Sequence, residues 1–477
     1  MFSCGNRTRK DEPVLTKEEE HLKLRGEALC VKYCSGCHLT ADPKLLDRTT
    51  WVSVLSQMQV QMSKAGIEIK REEWDTVWKY YEKFSPIILD NTREHPIRQI
   101  ASQFSGNDSL IVKPARANIT LLSFRSQDGS LFAGDASRNL YRLRSNIVDR
   151  EYKLNNVPVD IAYDSVGSNV YVLCIGNLRP NEHPTGQLLS LNLETGSTQV
   201  LVDSLDRPIH LEKCDLDQDG QHEFMISCFG STLGRQNTGG VVYAKKSNGV
   251  WRKEDFKVLE GASKTIAKDL DGNGTPDVIA LFAQGRESVI LFRNTLTGFH
   301  EETVVTFPPV YGVTDMALAD LDGDGDDDLI VANGDNGDFS VVSKPYHGVR
   351  IFRNTGSTFE EWIFQPIHGA ARMRLRDFDL DGDIDIAVLS IYPDLFHHPE
   401  ETLVLLENRE DTFHAKTLVR EPSLRWMIIE AGDIDNDGDD DVITGANLIL
   451  SFPIPAAYTG RFRNAKNAIT VFENATR

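Results

Sequence analysis

Three residues near the N-terminus have the types and spacing to hold a metal cofactor covalently. They stand in Cys34-Ser35-Gly36-Cys37-His38. Two thiols at this spacing can add across the two vinyl groups of a porphyrin, and the imidazole that follows then lies beneath the iron as an axial ligand. The C-x-x-C-H run therefore predicts one covalently attached haem c. A structural zinc site would need a second pair of Cys or His ligands close by, and none follows. A thioredoxin-like dithiol would sit in a βαβ setting, and none surrounds it. A sixth ligand is expected from Met58 or Met62, which lie four residues apart on one face of a helical stretch that begins at Trp51. A thioether ligand raises the iron's reduction potential relative to a second His, which suits a single-electron carrier.

A second chemistry recurs along the chain. Acidic loops run as DLDQDGQHE from Asp215, DLDGNGTPD from Asp269, DLDGDGDDD from Asp320, DFDLDGDID from Asp377 and DIDNDGDDD from Asp433. Side-chain oxygens at loop positions 1, 3, 5 and 9, with a carbonyl at 7, can surround one hard cation, and the Gly at position 6 permits the tight turn. The ligands so predicted are Asp215, Asp217, Asp219 and Glu223; Asp269, Asp271, Asn273 and Asp277; Asp320, Asp322, Asp324 and Asp328; Asp377, Asp379, Asp381 and Asp385; Asp433, Asp435, Asp437 and Asp441. About five Ca2+ ions are expected. An EF-hand would need a Glu at position 12 and flanking helices. Four of the loops have Ala280, Val331, Val388 or Thr444 there, and short apolar strands flank them. Each loop is thus expected at the tip of a β-hairpin. The loop from Asp215 is the weakest member, because its ninth residue is Glu223.

The elements that must position these residues follow from pattern. Residues 14–86 are expected to be helical, opened by a Thr16-x-x-Glu19 capping box and closed by a helix from Glu72 to Phe84 with a core stripe of Trp74, Val77, Trp78 and Tyr81. This segment resembles the small class I cytochrome c domain over its whole length. Gly26 stands eight residues before Cys34, Cys30 falls where an aromatic is common, and Pro43 follows the haem His. The resemblance implies a ligand Met seven residues after a Trp, which selects Met58 and leaves Met62 as the alternative. Residues 1–13 are expected to be a tether and 87–107 a linker.

The acidic loops recur about every 55 residues, the length of one four-stranded propeller blade. Val289–Asn294 returns as Val349–Asn354, Leu403–Asn408 and Ile469–Asn474. Residues 108–477 resemble the FG-GAP repeat of integrin-type propellers, also called VCBS repeats. Two further blades have lost the acidic loop, one around Asp164 and one around Asp128-Gly129, which gives seven. Residues 109–112 are expected to supply the last blade's missing strand and tie the ring shut. The expected fold is mainly β: a seven-bladed β-propeller with a small all-α cytochrome c domain at the N-terminus.

Composition bounds the function. The formal net charge of -20 argues against nucleic-acid binding, and no apolar run spans a membrane. The five loops hold 24 Asp and Glu residues, and five Ca2+ would offset half the formal charge. Phe2-Ser3-Cys4-Gly5 resembles the end of a lipoprotein signal, so a lipid anchor at Cys4 is expected. The long loops of the propeller, which carry Tyr346, His347, Tyr392, His397 and His398, are expected on one face, where partners dock. These features predict an extracytoplasmic electron-transfer protein, periplasmic or anchored at the outer membrane or cell surface, with a redox protein as partner. The alternatives are a propeller-based oxidoreductase that passes electrons to the haem, and a surface binding or adhesion module.

Overall fold

The computed structural model describes residues 15–90, 97–107, 118–145, 147–164, 167–179, 183–230, 238–337, 342–410, 412–448, 454–465 and 467–476. The chain divides into two compact units, Met1–Leu89 and Asp90–Arg477.

The first unit is helical. Helix α1, Lys17–Cys34, opens on the expected capping box: Thr16 Oγ1 accepts from the Glu19 amide, and Glu19 accepts from the Thr16 amide. A 3-10 turn, Pro43–Leu45, precedes helix α2, Arg48–Lys64, which Asp47 caps. Helix α3, Arg71–Phe84, packs against both α1 and α2. The α1–α3 crossing depends on Gly26, where a Cβ would lie 2.3 Å from Tyr80 Cγ. The buried stripe of α3 is Trp74, Val77, Tyr80 and Tyr81. Trp78, expected in that stripe, is only half-buried, because it falls on the flank away from the α1 contact that Tyr80 makes.

The second unit is a ring of seven four-stranded antiparallel sheets. Its innermost strands are Ile119–Arg125, Pro158–Tyr163, Pro208–Cys214, Ala262–Lys268, Val313–Ala319, Ala370–Arg376 and Trp426–Gly432. Each contacts the next, and the last contacts the first. The second strands of the five acidic-loop blades are buried from end to end, which is why they read in sequence as unbroken apolar runs. The seventh blade is completed by Phe104–Asn107, which pairs antiparallel with Ile469–Asn474. The expected closing strand, 109–112, lies outside the described residues, and the observed one falls within the stretch read as a linker. Ile97 joins a core cluster with residues of the fifth and sixth blades, and Ala101 donates its amide to Thr417 O at 2.9 Å. A four-residue strand, Phe-Ser-Gly-Asn, is too short to show an alternating pattern, so this strap has no signature in sequence.

Every innermost strand has a register shift at the same place, just after its first residue. Such a bulge re-aims the next side chain. In five blades that side chain is Asp160, His210, Lys264, Asp315 or Arg372. The free edge of an innermost strand needs hydrogen-bond partners, and the preceding ring residues supply them. Asp160 accepts from Leu211 N at 2.7 Å, His210 Nδ1 from Thr265 N at 3.5 Å, and Asp315 from Met373 N at 2.9 Å. Lys264 donates to Asp315 at 2.8 Å.

Candidate haem-attachment and metal sites

Cys34 is the last residue of α1, and the chain continues for one more turn. Cys37 N and His38 N both donate to Cys34 O, at 3.2 and 3.3 Å. This turn keeps both thiols and the imidazole on one short stretch of backbone. All three cysteines here are free; Cys34 is half-buried, Cys37 exposed and Cys30 buried. His38 Nδ1 lies 2.6 Å from Leu39 O. A carbonyl can only accept, so Nδ1 carries the hydrogen and Nε2 is the nitrogen with an available lone pair. That is the state an iron ligand needs, and with two free thiols it fits the haem.

The loop after His38 is held from both sides. Trp51 Nε1 donates to Pro43 O at 2.8 Å from α2, and Tyr81 OH donates to Ala41 O at 2.8 Å from α3. The two rings also touch, with centroids 4.3 Å apart. Cys30 Sγ lies 3.9 Å from Tyr81 OH. A hydrogen bond from Cys30 holds the Cys34 thiol below its usual range, while that same bond and burial raise Cys30. Met58 is half-buried and Met62 buried, both on α2.

The five acidic loops share one backbone geometry. The first Asp of each accepts from the Gly amide at position 6: Asp215 from Gly220, Asp269 from Gly274, Asp320 from Gly325, Asp377 from Gly382 and Asp433 from Gly438, at 2.8–3.2 Å. These glycines have φ between 82° and 104°, which side-chain-bearing residues adopt rarely. The ninth residue accepts from the amide at position 2, as in Asp385 from Phe378 at 3.0 Å and Glu223 from Leu216 at 2.9 Å. In four loops its other oxygen accepts from an Asn on the third strand: Asn294 for Asp277, Asn354 for Asp328, Asn408 for Asp385 and Asn474 for Asp441.

Ligand oxygens converge within 4.8 Å of one another in five groups. These are Asp215, Asp217, Asp219 and Glu223; Asp269, Asp271 and Asp277; Asp320, Asp322 and Asp324; Asp377, Asp379 and Asp385; Asp433, Asp435 and Asp441. Asp328, Asp381 and Asp437 share the loops but fall outside the groups. Asn273 turns its carbonyl oxygen to Thr275 N at 2.8 Å. Asp215 Oδ1, Glu223 Oε1, Asp320 Oδ1, Asp379 Oδ1 and Asp439 Oδ1 are buried with no hydrogen-bond partner among the described residues, and of these Glu223 Oε1 has the Lys245 ammonium 3.7 Å away. Burial, reinforced by like charge from neighbouring carboxylates, pushes Asp328 and Asp379 up to about 6 and Asp385 and Asp441 up to about 7. Orphaned buried oxygens in an all-oxygen donor set fit a hard divalent cation.

Residues 30–108 match the family model described as dihaem cytochrome c. The N-terminal unit is a cytochrome c domain. Residues 269–331 match the FG-GAP-like repeat model. The chain is thus a haem-binding protein that joins a cytochrome c domain to a seven-bladed propeller with FG-GAP repeats. A search of curated proteins finds no match. Among solved structures, the chain is similar to U3-55K at 10% identity and TM-score 0.47, covering 79% of this chain and 99% of that one. It is also similar to the Cps50 (Swd1) β-propeller domain of Myceliophteria thermophila at 12% identity and TM-score 0.45, covering 77% and 99%. Nothing about this chain's chemistry follows from either likeness.

On the long loops of this cytochrome-linked propeller, the neighbouring histidines His397 and His398 have different partners. His397 Nδ1 faces Asp394 and His398 Nδ1 faces Glu400. His398 stacks on His368, centroids 5.3 Å apart, and His368 Nδ1 lies 2.7 Å from the buried Glu401. The His368–Glu401 pair and the charged ring at the propeller centre are absent from the sequence reading. Alignment of the repeats would have found much of the ring: His210, Lys264, Asp315 and Arg372 each stand five residues before the first Asp of their loop.

Proposed function

We propose that the chain is an extracytoplasmic electron carrier with one haem c, calcium in its propeller loops and a redox protein as partner. The observation that carries this reading is the Cys34–Cys37–His38 turn: two free thiols and an imidazole whose Nδ1 is already engaged by Leu39 O. Haem c, when bound, supplies a one-electron Fe(III)/Fe(II) couple. Cys34 and Cys37 would tether it, His38 would offer Nε2, and Met58 would offer a thioether from α2, with Met62 one turn further as the alternative. Trp51 and Tyr81 hold the loop after His38, which keeps the imidazole in place. An imidazole and a thioether that both held the iron would suit electron carriage better than gas or peroxide binding. The family description names two haems, but this sequence has one C-x-x-C-H run and so one covalent attachment point.

The propeller is read as a calcium-stiffened platform for the partner. Covalent haem attachment and calcium loading both suit a compartment outside the cytoplasm. No helix among the described residues is long and apolar enough to cross a membrane. The lipid anchor at Cys4 lies outside the described residues and forms part of the proposal.

The test is a visible spectrum of the full chain made with haem-maturation machinery, oxidised and reduced, beside Met58→Ala. Sharp reduced bands that survive denaturation, with a weak far-red band lost in the variant, are expected. A protein without covalent haem would end the reading. A far-red band retained in Met58→Ala and lost in Met62→Ala would move the ligand to Met62.

A further inference from the structure

The loop from Asp215 differs from the other four in what occupies its centre. Lys245, on the third strand Gly240–Ser247, sends its ammonium among the loop carboxylates. Nζ contacts Asp217 directly, lies 2.8 Å from Asp219 and 3.7 Å from Glu223. Three of the four converging acids of this loop are therefore already paired with one cation.

Two neighbouring changes complete the arrangement. The ninth residue is Glu223, whose extra methylene carries Oε1 toward the ammonium while Oε2 keeps the bond to Leu216 N. The third-strand Asn that engages the ninth residue in the other loops is replaced by Lys246. Beside the lost acidic loop of the second blade, Lys213 reaches over from the third blade's innermost strand: its Nζ lies 2.9 Å from Asp164 and 3.0 Å from Tyr163 O, and Tyr171 OH donates to Asp164.

The strand register makes the comparison across blades direct. The position of Lys245 is held by Arg293, Arg353, Glu407 and Glu473 in the next four blades. Arg293 stays 4.0 Å from Asp271, and Arg353 meets Asp322 at 2.7 Å while lying over Trp362. Each of these arginines meets one carboxylate of its loop, where Lys245 meets three. At Glu407 and Glu473 the position adds an acid.

We infer that Lys245 takes the place of the divalent cation in the Asp215 loop, so that calcium is confined to the other four loops and this third-strand position decides which loops are metal-free. The inference rests on the calcium reading above and narrows it from five ions to four. An ammonium amid carboxylates offsets their repulsion without the dehydration a metal site demands. Calcium entry would have to expel a tethered charge held by three carboxylates.

The experiment is calcium stoichiometry on the full haem-loaded chain, by equilibrium dialysis against calcium and elemental analysis of the retained metal. Four ions per chain are expected for the unmodified protein, five for Lys245→Gln and three for Glu473→Lys, which puts the same device into the Asp433 loop. The Glu473→Lys count keeps the inference testable if Lys245→Gln does not fold. Five ions in the unmodified protein, or no change in either variant, would overturn the inference and leave the calcium reading standing. No bound calcium in any of the proteins would overturn both.

Discussion

Cys30 occupies the place where the related fold has an aromatic, and its thiol touches two functional groups at once. It sits one turn before Cys34 and faces Tyr81 OH, which in turn holds the loop behind His38. The hydrogen bond from Cys30 lowers the Cys34 thiol, so more of it is thiolate near neutrality, and the thiolate is the nucleophile. In the haem-free full chain, Cys30→Ala should therefore slow alkylation of Cys34, followed by mass mapping at neutral pH, and leave Cys37 unchanged. Equal rates at Cys34 in both proteins would show that Cys30 is a packing residue only. Sequence alone supports the packing role, since nothing in the spacing shows that Tyr81 and Cys34 meet at Cys30. The haem motif itself was legible, because its chemistry depends on neighbours along the chain. The contacts that hold it come from α2 and α3 and depend on folding.

Elements show the same division. Helix α1 and its cap were readable from Thr16 and Glu19, and the acidic hairpins from their five-fold recurrence. The closing strand was not, because a four-residue strand has no period; the ring's residues recur at a fixed place in the repeat, but the bulge that turns them toward one another is a property of two paired strands. The α1–α3 crossing makes a sharp prediction. Gly26→Ala places a methyl inside the Tyr80 ring, an overpacking that should cost about 1–3 kcal/mol of the cytochrome unit's stability. Tyr80→Ala in the same chain should recover part of that loss, as coupled neighbours do. Urea unfolding followed at the haem band measures both, and strictly additive losses would argue that the helices cross elsewhere. The hairpins give a second test. Calcium at about 100 times its dissociation constant stabilises by about 2.7 kcal/mol per site. A chelator should therefore lower the propeller's melting temperature while the haem spectrum stays the same.

Across the whole propeller, stability depends on the charged ring, and the ring gives it a pH signature. Burial, with Lys264 nearby, pushes His210 down to about 3 from an ordinary 6.5, so the folded protein holds it neutral while the unfolded chain binds a proton. Its contribution is therefore lost as pH falls from 6.5 towards 3. Asp315 acts in the same direction further down: burial alone would raise it, but Lys264, Arg372 and Arg374 hold it at about 2. Burial raises Asp160 to about 6 and Glu212 to about 7, so their contribution runs oppositely and weakens as pH rises through those values. His210→Gln removes only the first effect. Its urea midpoint should fall less than the unmodified protein's between pH 6.5 and about 4. Parallel curves for the two proteins would mean that His210 accepts a proton in the folded ring.

The pairing of Phe104–Asn107 with Ile469–Asn474 also sets an order in time. The strand that closes the ring leaves the ribosome before any other blade strand, and its partner strand emerges after all of them. Until then the seventh blade keeps an open edge and the ring stays unclosed. The three helices of the first unit all lie before Leu89. A chain interrupted before that last pairing would expose an unpaired strand that invites aggregation.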